Sequence, residues 1–312
     1  MKRAAIVGMG AIYPIHSAAI QALDGIELVG VCDIDAKKRA AAPEGVPAFE
    51  DVREMVEQTH PDCVHVCLPH YLHYPISRQV VEMGVNVLCE KPVALNGREA
   101  LEFRRLEQEH PEVKIAVSLQ NRLNETTEEL VRIIGSGEHG KVMGVRAEVP
   151  WYRPLAYYQA EPWRGRWDQA GSGVMMNQAI HTIDLMYLLG GPVQRIKASV
   201  EQILDYGIEV EDTVSARFQY ENGAIGHLYA TNANFKNEGV NISVDLEHAS
   251  FRMRDNVLYE VGEGNVETKL VEDQKLPGSK FYYGASHKKL IRGFYDCLED
   301  GSDEYIHVRD AY

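Results

Sequence analysis

Two short stretches carry side chains whose types suit acid–base and charge chemistry. Glu90-Lys91-Pro92 follows the apolar run Val85–Cys89, and Pro92 keeps that run from continuing smoothly into a helix. A lysine at such a strand end is a compact cation that can meet a developing oxyanion. Beside a glutamate it is equally what a solvated ion pair looks like. Further on, Asn177, His181 and Asp184 are spaced i, i+4, i+7 within Gly171–Gly190. A helix would set them on one face, with Met176, Ile180, Ile183 and Tyr187 as a buried stripe on another. A histidine in that row can take and return a proton near neutral pH, although a polar row is also what a solvated helix face looks like. His181 has no second histidine at ligand spacing and the HExxH pattern is absent, so no metal site is expected there.

A third stretch, GMGAIYPIH from Gly8 to His16, concerns cofactor binding. Gly8-x-Gly10 follows the apolar run Ala4–Val7, as in a loop that brings backbone close to a pyrophosphate at a helix start. The fingerprint's third small residue is replaced by Tyr13, which weakens helix–strand packing but leaves the first two glycines in place. Asp33 ends the second apolar run, where an acid accepts ribose hydroxyls. Its charge repels a 2′-phosphate and so favours NAD(H), while Lys37, Lys38 and Arg39 just beyond keep NADP(H) open. Cys67-Leu68-Pro69-His70 ends another run, with His73 close behind. Trp163-Arg164-Gly165-Arg166-Trp167 combines aromatic faces with guanidinium forks, a composition that suits a binding cleft or a protein interface.

These residues need a frame. The first third alternates short β-branched runs (Ala4–Val7, Glu27–Cys32, Cys63–Leu68, Val85–Cys89, Val113–Ser118) with helical spacing at Ser17–Leu23, Val52–Gln58, Tyr74–Met83 and Arg98–Glu109. That pattern predicts βαβ units around a parallel sheet, with ligand loops at the carboxyl ends of the strands. After about Asn121 a helix, Glu125–Ile134, leads into alternating stretches. Glu221-Asn222-Gly223 between Thr213–Tyr220 and Ala224–Ala230 predicts a hairpin, and Val240–Leu246 alternates. This half reads as an antiparallel sheet with helices near Asn177–Leu189 and His287–Leu298. The expected domains are 1–121, which carries the dinucleotide-binding pattern, and 122–312. The chain reaches Tyr312 without a closing helix in this reading, which leaves open whether its C-terminus is clipped.

Composition bounds the partners. The 312 residues suit two domains, and 45% apolar with 25% charged residues is ordinary for a soluble protein. A formal net charge of −14 argues against a broad nucleic-acid surface. Five cysteines, an odd number without a CxxC pair, point to reduced thiols in the cytoplasm. Nothing reads as a signal peptide or a membrane span.

Taken together, the chain resembles the Gfo/Idh/MocA oxidoreductases, which are sugar and inositol dehydrogenases. The resemblance covers nearly the whole chain. It rests on Gly8-x-Gly10-x-Ile12 with His16, Asp33, Pro69 with His73, Glu90-Lys91-Pro92, and Asn177-x-x-x-His181-x-x-Asp184. It implies an N-terminal Rossmann domain and a C-terminal α+β domain with a large open antiparallel sheet, which gives 122–312 substrate binding and oligomerisation. It implies a cofactor site of Gly8, Gly10, Ala11, Ile12, Asp33, Leu68, Pro69, His70, His73, Glu90 and Lys91, with Trp163 and Arg164 at the rim. Lys91 would touch nicotinamide ribose and substrate hydroxyl, and His181 would transfer the proton. Asn177, where many members carry aspartate, would orient a sugar-like substrate also met by Tyr152, Arg153 and Tyr158. Assembly would be a homodimer or homotetramer packed through the open sheet. Two rival functions fit the same frame: a glycoside hydrolase that uses tightly held NAD for transient oxidation, and a non-catalytic dinucleotide-binding sensor.

Overall fold

The structure is a computed structural model and describes residues 1–274 and 285–312. The chain divides into two compact units, residues 1–120 with 287–312, and residues 121–286.

In the first unit the strands are β1 (Lys2–Val7), β2 (Ile26–Cys32), β3 (Ala48–Phe49), β4 (Cys63–Val66), β5 (Asn86–Glu90) and β6 (Ile115–Ser118). Helices α1 (Tyr13–Gln21), α2 (Ala36–Arg39), α3 (Val52–Thr59), α4 (His73–Val81) and α5 (Gly97–Glu109) fall between them. The strands form one parallel sheet in the order β3-β2-β1-β4-β5-β6. Ala4–Val7, Cys63–Val66 and Ile115–Ser118 are buried without interruption. That is the burial expected of strands covered on both faces, and it explains why they read as unbroken apolar runs. Side-chain caps start α3 and α5. Asp51 accepts from Glu54 N at 2.9 Å at the head of α3, and Asn96 accepts from Arg98 N and Glu99 N at 3.1 Å at the head of α5. The order reverses between β1 and β4, which sets the crevice at their carboxyl ends.

The second unit begins with α6 (Glu125–Ser136) and β7 (Val142–Pro150). Short helices α7 (Leu155–Ala160), α8 (Trp167–Ala170) and α9 (Val174–Asn177) lead to α10 (Ile180–Gly190). Strands β8 (Val193–Glu201), β9 (Thr213–Tyr220), β10 (Ile225–Thr231), β11 (Asn241–Leu246), β12 (Ser250–Arg254), β13 (Val257–Val261) and β14 (Glu267–Glu272) follow. They and β7 form an eight-stranded sheet in the order β14-β13-β12-β11-β7-β10-β9-β8. It is antiparallel apart from the parallel pair β7–β10. The expected hairpin is present: Gly223 has φ +90°, and Tyr220 N donates to Ala224 O at 3.0 Å. Val145, Ala147, Phe218, Leu228 and Val244 on one face pack with Leu185, Met186 and Leu189 of α10.

Two expectations change here. The helix foreseen at Asn177–Leu189 is broken, because Gln178 and Ala179 separate α9 from α10. Its buried side is Thr182, Leu185, Met186 and Leu189, whereas Tyr187 is exposed. Gly171–Gly190 is apolar nearly all round, so periodicity alone does not select the buried face. The second change concerns the chain's end. Helix α11 (Ser286–Asp300) and the short α12 (Val308–Ala311) follow the second unit, and residues 287–312 belong with the first. Leu290, Ile291, Phe294 and Tyr295 on one stripe of α11 are buried, and Ala116 bridges to His307 at the edge of β6. Among the described residues no helix is long and apolar enough to cross a membrane.

Candidate active site

The loop after β1 is shaped for close approach of backbone. Gly8 has φ +93°, and a Cβ there would stand 2.3 Å from the Cys67 carbonyl oxygen, so no other residue fits without moving the end of β4. A Cβ on Gly10 would meet nothing within 4 Å, which leaves that stretch of backbone open. No side chain caps α1, and its first turn holds no acid. Within the first turn Tyr13 N donates to Gly10 O, Ile15 N to Ile12 O, and Pro14 has no N–H, so the seat for a phosphate group is the loop leading into the helix, with no competing carboxylate in that turn. Asp33, 8% exposed at the end of β2, accepts from Met9 N at 2.8 Å and from Asp35 N at 2.9 Å, so its carboxylate is fixed against the glycine loop. The residues present therefore fit a dinucleotide: a cleared loop, an uncapped helix start and a fixed acid. Tyr13 opens α1 without disturbing this loop. Of the three cations after Asp33, Arg39 is committed to the Asp33 carbonyl and to Glu50. Lys38 Nζ stands 3.8 Å from the Asp33 carboxylate.

The neighbouring strand ends bring the next candidates together. His73 is 1% exposed, and its ring bridges two carbonyls, Leu68 O at 2.8 Å and Pro92 O at 2.7 Å. It ties the loop after β4, with Pro69 and His70, to the turn Glu90-Lys91-Pro92 after β5. The expectation counted His73 and Glu90 among cofactor contacts. In the structure both side chains serve the interior. The Glu90 carboxylate is 4% exposed, receives His16 Nε2 at 3.0 Å and Lys91 N at 3.2 Å. Burial lowers the proton affinity of Lys91, and the Glu90 charge opposes that. Lys91 is half-buried at the strand end, and the Lys91–Pro92 peptide is cis.

The second unit positions a different set. His181 is 6% exposed near the start of α10, and it lines a small cavity of about 70 Å³ with Gln178, Asn121, Asn124, Trp151 and Asp273. Asp184 receives a forked guanidinium from Arg122 at 2.5 to 3.1 Å, so it acts as an anchor for α10. Asn177 ends α9, and its amide reaches the Ser172 carbonyl at 3.4 Å. The break between α9 and α10 means that Asn177 and His181 are not one regular helical turn apart. Tyr158, expected at the rim, is 5% exposed with Asn232 donating to its hydroxyl at 3.1 Å. Burial raises its pKa to about 12. Its neighbour Tyr157 is the aromatic platform instead: Arg164 lies 4.2 Å and Arg153 5.6 Å from its ring centre. Trp163 donates to Glu161, and Tyr152 is exposed. Gln178 joins this platform to the core, donating to Tyr157 Oη at 3.0 Å and accepting from Asn232 at 2.9 Å. A larger depression of about 420 Å³ lies on the outer face of the sheet, and none of the candidate residues lines it.

The sequence reading passed over His65, Gln178, Glu211, Asn232, His287 and Tyr295. His65 carried a usable signal, being polar within a strand otherwise buried on both faces.

A doubly wound dinucleotide fold joined to an open-sheet α+β unit defines a class, and comparison with known proteins fixes it. Residues 2–118 match the oxidoreductase family with an NAD-binding Rossmann fold, GFO_IDH_MocA. Residues 127–252 match the GFO/IDH/MocA C-terminal domain. The chain belongs to the Gfo/Idh/MocA oxidoreductase family. It is 27% identical over 244 residues to D-glucoside 3-dehydrogenase of Escherichia coli K12, which spans 72% of this chain and 68% of that protein. Among solved structures it resembles the WlbA dehydrogenase from Chromobacterium violaceum, at TM-score 0.85 and 30% identity over 99% of this chain and 89% of that one. The WlbA dehydrogenase from Bordetella pertussis gives TM-score 0.86 and 28% identity over 99% and 91%. Both were solved in complex with NADH and UDP-GlcNAcA.

Proposed function

We propose that this oxidoreductase interconverts a carbinol and a ketone on a sugar-like substrate, with Lys91 and His181 as its catalytic residues. When bound, the dinucleotide accepts or supplies the hydride. The Gly8–Ile12 loop, through Ala11 and Ile12 at the head of α1, holds the pyrophosphate, and Asp33 accepts the ribose hydroxyls. Leu68, Pro69 and His70 border the nicotinamide half. The His181 imidazole takes the hydroxyl proton in oxidation and returns it in reduction. The Lys91 ammonium stabilises the alkoxide that forms between those steps. Asn177 orients the substrate.

The observation that carries this reading is one of topology. The Gly8 loop, the Leu68–Pro69 turn and Lys91 terminate β1, β4 and β5, three adjacent strands at the reversal of strand order. That is where doubly wound sheets bind ligands. Asp33 supports NAD(H) over NADP(H), because Arg39 is already engaged and only Lys37 and Lys38 remain near it. Five unpaired buried thiols suit a reducing compartment such as the cytoplasm.

For the substrate we infer an anionic sugar, such as a nucleotide-linked uronic acid. The solved WlbA relatives bind one, and Arg153 and Arg164 here flank Tyr157 with two guanidinium groups near Tyr152 and Trp163. The test is a panel of neutral sugars, inositols and nucleotide-linked uronic sugars, followed by absorbance change with NAD(H) and NADP(H). Turnover is expected with the acidic nucleotide sugars. His181→Ala should lower kcat by roughly 10²–10⁴-fold while keeping dinucleotide affinity. Lys91→Ala should lose a comparable amount and raise KM. Near-normal turnover by His181→Ala would refute the proton-transfer assignment.

A further inference from the structure

Next to Lys91 the first unit buries a row of titratable groups for which the reaction has no direct use. Glu90 is 4% exposed, His16 and His65 are 0%, and Tyr295 of α11 is 2%. His16 Nε2 lies 3.0 Å from Glu90 Oε1, His16 Nδ1 lies 2.9 Å from His65 Nδ1, and His65 Nε2 lies 3.0 Å from the Tyr295 hydroxyl.

Hydrogen-bond bookkeeping orders the protons. An ionised carboxylate only accepts, so the proton between Glu90 and His16 sits on His16 Nε2. A neutral His16 then offers a lone pair at Nδ1, which accepts from His65 Nδ1–H. His65 in turn offers a lone pair at Nε2, which accepts from the Tyr295 hydroxyl. With both imidazoles neutral, one arrangement satisfies all three bonds and leaves Glu90 as the single ion of the row; the competing arrangement is a doubly protonated His16 with the two outer bonds reversed. The surroundings agree. Burial pushes the His65 pKa down and the Tyr295 hydroxyl up, so both favour their neutral forms. Burial alone would raise Glu90, but the His16 hydrogen bond, with neighbouring charge including Lys91, holds it well below the carboxylate range.

We propose that Tyr295, His65 and His16 form an ordered relay that fixes Glu90 as a carboxylate, and that His16 and Glu90 are positioning residues for the Lys91 ammonium. This rests on the catalytic reading of Lys91. The ammonium is disfavoured by burial and favoured by Glu90. Burial disfavours the charged form of the other groups facing the pair, although the two carbonyl partners of His73 oppose it there. His287 of α11, 3.8 Å from Glu90, has its pKa lowered to about 4 by burial. Burial lowers His73 on α4 as well. Burial raises the Cys67 and Cys89 thiols, so both stay protonated. Glu90, held against the Lys91 backbone by Lys91 N at 3.2 Å, is thus the counter-charge that opposes the loss of the Lys91 proton. His16, Glu90 and His287 also bring one ligand atom each within 4.8 Å of one another, the spacing of a metal set. Relay and metal exclude each other, because a metal would need the His16 Nε2 lone pair that here is occupied by a proton.

The first test needs no turnover. Nitrogen-15 NMR of the imidazoles in the full chain at neutral pH should find His16 protonated at Nε2 and His65 at Nδ1. A doubly protonated His16, the opposite tautomers, or a stoichiometric metal by elemental analysis would overturn the relay. The second test is the pH profile of kcat/KM. Without the Glu90 charge, Lys91 loses its proton at lower pH, so in Glu90→Gln the basic limb should fall by about 1–3 pH units. Tyr295→Phe removes one hydroxyl four residues along the row from Lys91 and should move the limb the same way by less. His16→Gln keeps an amide donor for Glu90 and an acceptor for His65, so it should hold the wild-type limb. A limb unmoved in Glu90→Gln and Tyr295→Phe, with stability alone reduced, would show a structural cluster and overturn the proposal. Should a variant fail to fold, the tautomers of the unaltered protein decide. Correct tautomers beside a fully active His181→Ala would sink the catalytic reading and leave the relay standing.

Discussion

At the scale of single residues, Asp33 does two things at once. It anchors the glycine loop through Met9 N and Asp35 N, and it presents a fixed negative charge at the end of β2. Charge-assisted hydrogen bonds of the kind it would give a ribose are worth about 1.5–3 kcal/mol. Asp33→Ala should lose that much NAD(H) affinity and narrow or reverse the preference, since the repulsive carboxylate goes and Lys38 is released from it. Asp33→Asn keeps an acceptor for Met9 N and separates loop anchoring from charge. Titration calorimetry with both dinucleotides checks this, and tighter NADP(H) binding by the unaltered protein would refute the assignment. Asp33, Gly8 and Lys91 were legible in the sequence because each marks the end of an apolar run. The interior bonds of Glu90 and His73 were not legible, because a motif names a residue without saying which way its side chain turns. Their partners, His16, Leu68 and Pro92, become neighbours only when the strands align.

At the scale of elements, the parallel strands and most helices could be read from period and caps, but α9 and α10 could not. Both ends of α9 answer to contacts distant in sequence: at the break Gln178 bonds Tyr157 and Asn232, and the start is held by Glu211. Glu211, 3% exposed, accepts from Ser172 Oγ at 2.7 Å, Gly173 N at 2.8 Å and Met175 N at 3.1 Å, so a carboxylate from before β9 supplies the cap that α9 lacks in its own sequence. A Cβ on Gly173 would stand 1.8 Å from the Glu211 carbonyl, which shows how closely the two segments approach. Nothing around Glu211 in the sequence announces this role. Glu211→Ala strands two buried donors, Ser172 Oγ and Gly173 N, each worth about 1–3 kcal/mol when left unmet, and the half-buried Met175 N. The variant should melt clearly below the wild type and lose activity through displacement of Asn177, with dinucleotide affinity kept because the first unit is untouched. A variant with unchanged Tm would mean that water or another group replaces the carboxylate.

At the scale of the whole molecule, two units were legible from the switch in hydrophobic period near Asn121. The return of α11 to the first unit was not, because an amphipathic stripe states that a helix packs without stating on what. The open sheet raises a question of the same kind. One face is covered by α10, and the other presents Lys197, Arg217, Arg146, Glu148, His227 and Tyr229 in adjoining rows. The edge strand β8 is exposed nearly throughout, with Ile196 at 55% and Val200 at 51%. We propose that a second copy of the chain covers this sheet. A cation of this face, Arg146, Arg217 or Lys197, can meet Glu148 of the second copy and be met in return across a twofold axis, as an isologous interface requires. Exposed isoleucine and valine on an open edge otherwise invite uncontrolled strand pairing. Light scattering at micromolar concentration should therefore give twice or four times 35.1 kDa. Arg146→Glu with Arg217→Glu places like charges along the proposed contact, and should shift the protein toward monomer while leaving the fold of each unit intact. A monomeric wild type, or a double variant that keeps its assembly, would remove the sheet face from consideration as the interface.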